Sequence, residues 1–429
     1  MISKSIQLKN GLSILLVDTD SFPTMTMMVL IGAGSRYENK KNNGIAHFFE
    51  HMAFKGSKKY PSAYDISSAI EGMGAEFNAF TSKDHTGYWV KAPNEHFEKV
   101  TDVLSDMILH SALLPKEIER EKQVIVEEIN MYEDTPSHKV SDLFDDLIFA
   151  GHPLGYDIAG TVESVRSFTK QTLTDYLGQL YHPSNAAIVI AGGLNIRAND
   201  RASIVNYQTI ISERFEKWNG RKIKKLNRFI SHQNSPKIFV KTKKTEQAHI
   251  CIGYRSFAFT DPNRYALSVL STVLGGGMSS RLFTEVRERR GLCYYVSTGR
   301  DLYKDTGYIV TQAGVSTDVK KLNEAVKVII AQHQSITKGK ITDKEITRAQ
   351  ALLKGRLLLS LEDSHSVASF YGIRKLLYGD IVDPQDIIAS IDAVTKEDVV
   401  SVAKDLFVEK GLNIAAIGPL SEQDIHLKN

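Results

Sequence analysis

The sequence predicts an α+β protein of two related domains, each a mainly antiparallel sheet covered by helices. Two observations carry that expectation. Strand-like and helix-like segments alternate along all 429 residues, and several short phrases recur in the second half in the same order. Thr86-Gly87-Tyr88 returns as Thr306-Gly307-Tyr308 at an offset of 220, Lys116-Glu117-Ile118 as Lys344-Glu345-Ile346 at 228, and Thr169-Lys170 as Thr395-Lys396 at 226. A helical stretch and then an apolar strand follow each of the last pair, NAAIVIAGGL at 185–194 and LNIAAIGPL at 412–420. The expected division is a first domain over 1–214, a basic and polar connection over 215–236, and a second domain over 237–429.

Taken in order, residues 4–18 and 24–33 read as the strands of a hairpin about the turn-forming stretch Asp18–Pro23. Residues 44–56 (GIAHFFEHMAFKG) have Gly at both ends and helix-compatible residues between, and Tyr64–Gly72 gives a second short helical pattern. Aromatic and β-branched runs at 76–82 and 87–92 predict two strands joined by a polar turn. Residues 94–112 and 115–133 predict helices. The second opens on Pro115 with Glu117, Glu119 and Glu121 in its early turns, where the helix dipole favours acids.

Bulk composition narrows the partners. With 53 basic and 50 acidic residues the charge nearly balances, so no global field favours nucleic acid or an anionic membrane. No run of about 18 apolar residues offers a membrane span. The two cysteines, Cys251 and Cys293, lie in apolar or aromatic surroundings and read as reduced thiols. Together with an N-terminus that runs directly into strand-like alternation without an export signal, this predicts a soluble cytoplasmic protein.

The strongest chemical signal is His47-Phe48-Phe49-Glu50-His51. On a helix, positions i and i+4 share one face with i+3 beside them, so both imidazoles can hold one Zn²⁺ while Glu50 stands beside them as general base. This is the reverse of the commoner H-E-x-x-H order, the inverzincin pattern. A catalytic zinc takes a third protein ligand and keeps a fourth position open. The helix over 115–133 offers Glu121 and Glu128, seven residues apart and so within about 20° of one face, whereas Glu127 falls about 100° away. Val124, Ile125 and Met131 or Tyr132 share the Glu121/Glu128 side, which places these carboxylates toward the interior, where they need a partner.

These residues, with GAEFNAFTSKDHTGY at 74–88, EREKQVIVEEI at 119–129, GHPLGYDIAGT at 151–161 and LGGGMSSRLFTEVRERRGLCYYV at 274–296, resemble the pitrilysin family of zinc peptidases. The likeness is to the branch that includes mitochondrial processing peptidase and its bacterial counterparts. It implies a zinc endopeptidase with one metal per chain, held by His47, His51 and Glu128, because 76 residues, here 52–127, separate the family's third ligand from the second histidine. It assigns Glu121 to orienting a ligand histidine. In the second domain, which carries no metal site, it assigns Arg287 and Tyr294 to the substrate backbone and the oxyanion. Asn78, Ala79, Phe80 and Thr81 match a sheet edge to which a peptide adds as an extra strand. The resemblance further implies that the two domains face each other as a clamshell around a chamber that admits short or unfolded peptides. A flexible glycine loop is expected at Gly275-Gly276-Gly277, and pairing as a homodimer or with a related chain. A non-catalytic partner subunit of the same fold is the competing reading.

Overall fold

In the computed structural model, which describes residues 1–196, 201–220 and 226–427, six strands form the first sheet. They are β1 (Ile2–Gln7), β2 (Ser13–Asp18), β3 (Thr24–Ile31), β4 (Glu76–Thr81), β5 (Thr86–Pro93) and β6 (Ala186–Gly192). The order across the sheet is β1-β2-β6-β3-β5-β4; β2 and β6 run parallel and the other neighbours antiparallel. The expected hairpin over 4–18 and 24–33 therefore does not form. β6 lies between β2 and β3, and residues 4–18 are themselves the β1–β2 hairpin. The run AAIVIAG explains the insertion: it is apolar on both faces, and a central place buries all seven residues.

The second sheet contains β7 (Lys237–Thr242), β8 (Ala248–Ser256), β9 (Cys293–Leu302), β10 (Gly307–Val315) and β11 (Asn413–Gly418). Its order, β7-β11-β8-β10-β9 with only β7 and β11 parallel, reproduces β2-β6-β3-β5-β4 strand for strand. The duplication read from short phrases is thus a repeat of topology.

Between β3 and β7 lie α1 (Ile45–Ala53), α2 (Ala63–Glu71), α3 (Phe97–Leu109), α4 (Pro115–Glu133), α5 (Pro136–Ile148), α6 (Val162–Ser167), α7 (Lys170–Leu180) and α8 (Arg201–Phe215). The second half adds α9 (Arg264–Gly275), α10 (Val319–Thr337), α11 (Asp343–Ser360), α12 (Ser364–Tyr378), α13 (Pro384–Asp392) and α14 (Lys396–Leu406). Thr169 and Thr395, the recurring threonines, are N-caps of α7 and α14, each with a reciprocal capping box. None of the helices among the described residues is long and apolar enough to cross a membrane.

The chain divides into two compact units, but not as two continuous stretches. Residues 1–129, 156–226 and 359–381 make the first, and 130–155, 227–358 and 382–429 the second. The expected division at 214 and 237 is corrected on this point: α5 and α12, equivalent helices of the duplication, have changed places. α5 packs Phe144 and Ile148 on Cys251, Ala415 and Ile417 of the second sheet. α12 lies on the first sheet, where Gly372 lets it approach β3 and β6 so closely that a Cβ would stand 2.7 Å from Val189. Lys91 Nζ donates to Asp363 at 2.6 Å beside it. The connection is anchored at both ends, with Phe215 and Trp218 in the first core and Phe229 against Phe149 in the second; residues 221–225 lie outside the described residues.

Candidate metal centre

Helix α1 is fixed before it carries any chemistry. Its N-cap, Gly44, sits at φ 92° with no capping side chain. The cap comes from outside: Glu38 accepts from Gly44 N at 2.7 Å, Ala46 N at 2.9 Å and Asn43 Nδ2 at 2.9 Å. Burial drives the Glu38 carboxyl up, to about 8, against three donors that favour its charged form. Phe48 meets Phe168 edge-on at 5.3 Å and Phe49 meets Tyr181 at 5.1 Å, so the helix cannot turn about its axis without breaking both contacts.

The two histidines then face α4. His47 Nε2 lies 3.6 Å from Glu128 Oε1 and His51 Nε2 lies 3.5 Å from Glu128 Oε2. Three ligand atoms, one from each residue, fall within 4.8 Å of one another. A tetrahedral ion bound at about 2.1 Å holds neighbouring ligand atoms about 3.4 Å apart, so the spacing and the N, N, O donor set fit Zn²⁺. Desolvation lowers the pKa of His47 to about 3, with His51 adding to the effect, which keeps its lone pair free for a metal at neutral pH. On a ring that ligates through Nε2 the proton sits on Nδ1, and in His51 that N–H donates to Glu121 Oε1 at 2.8 Å. Lys55 Nζ pairs with the other Glu121 oxygen at 2.8 Å.

Glu127 is exposed, as its helical angle requires. Val124 and Met131, expected on the buried side with the two carboxylates, are 46% and 54% exposed; Ile125 alone of that trio is in the core. The buried stripe of α4, made of Ile118, Glu121, Lys122, Ile125 and Val126, is therefore turned away from Val124 and Met131 toward Lys122 and Val126.

Glu50 follows the first turn of the pair, and its neighbour is the surprise. Thr81, expected as a peptide-edge residue, directs its hydroxyl inward and donates to Glu50 Oε2 at 2.6 Å. Burial raises the Glu50 pKa, and the Thr81 bond restrains the rise. Asn78, Ala79 and Phe80 lie on β4, which ends its sheet and, among the described residues, pairs only with β5. The Asn78 carboxamide accepts from Ala79 N at 2.8 Å. Sequence reasoning missed Glu38, Lys55 and the Thr81 bond. Only Glu38, an acid six residues before the helix N-cap Gly44, left a signal that capping chemistry could have found.

The structure brings Arg287 and Tyr294 to each other within the second unit, both on irregular backbone. Arg287 lies in a π-helical turn, Phe283–Glu288, where Arg289 N bonds back to Thr284 O at 2.9 Å. Its guanidinium stands 4.6 Å from the Phe283 ring centroid and 5.8 Å from that of Tyr294. Tyr294 occupies a break in the β9–β10 register and is 73% exposed. The expected loop at Gly275–Gly277 is corrected in part. Gly275 closes α9 and is buried, because a Cβ there would stand 2.8 Å from Thr298 Cβ, so it serves close packing.

Two family models match the chain. One, described as insulinase (peptidase family M16), covers residues 13–162 and so contains the whole donor set. The other, described as the peptidase M16 inactive domain, covers 167–353. An uncharacterized zinc protease of Bacillus subtilis (strain 168) is 36% identical over 407 residues, 94% of this chain and 95% of that protein. One of Streptomyces coelicolor is 33% identical over 422 residues, 97% and 89%. Among solved structures, a protease from Helicobacter pylori has the same fold, with a TM-score of 0.89 at 24% identity over 97% of this chain and 100% of that one.

Proposed function

The chain belongs to peptidase family M16, and from that premise we propose that it is a zinc-dependent endopeptidase for short or unfolded peptides, with one Zn²⁺ per chain and Glu50 as general base. The observation that carries the reading is the convergence of His47 and His51 on the two oxygens of Glu128, with Glu50 held beside them. When bound, the ion lowers the pKa of a water and polarises the scissile carbonyl. Thr81 occupies Glu50 Oε2, leaving Oε1 to take the proton of the attacking water and later pass it to the leaving amine. Burial raises the proton affinity of Glu50 and so suits it to both transfers.

Glu121 holds the His51 ring at the angle ligation needs. Asn78, Ala79 and Phe80 present a strand edge that only an extended peptide can join, which supports an unfolded substrate. In this reading Arg287 and Tyr294 bind the substrate backbone and donate to the developing oxyanion. The enzyme works in the cytoplasm as a homodimer, the first supported by two buried free thiols and the second by a chain that carries both residue sets. The competing reading, a non-catalytic subunit, draws support from the inactive-domain match, but that match covers 167–353, outside the donor set.

The test is bound zinc per chain together with cleavage of an unstructured peptide. The intact protein should hold about one zinc and cut, and Glu128→Gln should lose both. A protein that binds no zinc and cuts nothing with metal added is the non-catalytic subunit instead.

A further inference from the structure

Tyr294 owes its exposure to one extra residue in β9. Val315 pairs with Cys293 and Gly314 with Tyr295, so Tyr294 has no partner across the ladder. Bulges re-aim a side chain, but sliding this one by a residue would put a neighbour in Tyr294's place.

What prevents the slide lies in one row across three strands. His249 on β8 pairs with Gly314 on β10, which pairs with Tyr295 on β9. The Tyr295 ring lies over Gly314, where a Cβ would stand 2.9 Å from Cδ1 and nearer still to Cε1. Aromatic rings laid over a strand glycine are a known way to pin register. Gln312 Nε2 donates to the Tyr295 hydroxyl at 3.4 Å, which leaves that hydroxyl's own proton for His249 Nδ1 at 2.9 Å. The two rings also stack, with centroids 6.0 Å apart. Burial lowers the pKa of His249, so it stays neutral and able to accept.

We propose that the row His249, Gly314 and Tyr295 fixes the bulge and so aims the Tyr294 hydroxyl, making these three positioning residues for Tyr294. The inference rests on the reading of Tyr294 as an oxyanion donor.

A double-mutant cycle on the zinc-loaded full chain tests it, with kcat and KM read separately and zinc content measured in parallel. Tyr294→Phe should lower kcat about 100-fold, the scale of a lost oxyanion donor. Gly314→Ala should lower kcat roughly 10- to 100-fold with KM within about 2-fold, since a displacement near 1 Å is enough. Tyr295→Phe, which keeps the ring and loses the hydroxyl bonds, should cost about 3-fold. In the Tyr294→Phe background both changes should cost less than about 2-fold, because they act through Tyr294.

Equal losses in both backgrounds mean a merely structural role and overturn the proposal. If Gly314→Ala fails to fold, the Tyr295→Phe cycle decides by the same comparison. A Tyr294→Phe protein with full kcat overturns the oxyanion reading and this inference with it. Loss in Tyr294→Phe, with Gly314→Ala and Tyr295→Phe both at wild-type rates, overturns the positioning role alone.

Discussion

Replacing Glu121 by Gln should loosen zinc without unmaking the fold. Glu121 is 1% exposed; Oε1 accepts from His51 Nδ1 at 2.8 Å and Oε2 pairs with Lys55 Nζ at 2.8 Å. Burial alone would raise its carboxyl, but the His51 and Lys55 bonds hold it below the usual range, so it is charged at neutral pH. Gln keeps an oxygen for His51 and turns an amide N–H toward the Lys55 ammonium. The His51 bond falls from charge-assisted to neutral, a loss of about 1 kcal/mol. Outer-shell losses of this kind cost roughly 10- to 100-fold in metal affinity, about 1.4–2.7 kcal/mol. Lys55 is 28% exposed and can turn to water, so Glu121→Gln should lie near 10-fold. Glu121→Ala, which leaves the His51 N–H unheld, should approach 100-fold. Competition for zinc against a chromophoric chelator reads the affinity, and the Tm of the metal-free proteins tracks folding. Wild-type zinc affinity in Glu121→Ala would refute the reasoning.

Other perturbations have definite signs. Thr81→Val removes the donor that restrains the Glu50 pKa, so the acidic limb of the kcat/KM profile should move to higher pH than in the wild type while zinc content stays constant. Gly44→Ala forces a side chain into φ 92° and against Gly160 Cα, 2.8 Å away; a loss of about 1–3 kcal/mol should appear as a lower denaturant midpoint. Burial would raise the Glu345 carboxyl, yet the two-point Arg281 pairing and the Thr342 donors bring it from 4.5 down to about 2. Its stabilisation is therefore complete above about pH 4.5 and disappears as pH falls toward 2. Allowing for solvent screening it amounts to about 1 kcal/mol, and Glu345→Gln should flatten that part of the stability profile.

The candidate metal centre was legible because each of its parts is local to one helix. A five-residue helical pattern set His47, Glu50 and His51 on one side, and the seven-residue step on a helix correctly bounded at Pro115 and Glu133 separated Glu121 and Glu128 from Glu127. Non-local pairing was not legible. The placement of β6 between β2 and β3 depends on what else can bury its second face, and the exchange of α5 and α12 depends on which sheet each meets. The Thr81 bond to Glu50 and the register break at Tyr294 are side-chain and ladder details of tertiary structure, where a strand pattern reports only alternation.

The proposed role of Glu50 is to move the proton for hydrolysis at a site held by His47, His51 and Glu128. Turnover of an unstructured peptide by zinc-loaded Glu50→Gln tests it most directly. The variant should bind zinc and peptide as the wild type does and lose at least about 100-fold in kcat, the scale of a missing general base. Equal turnover by the two zinc-loaded proteins would exclude Glu50 as the general base.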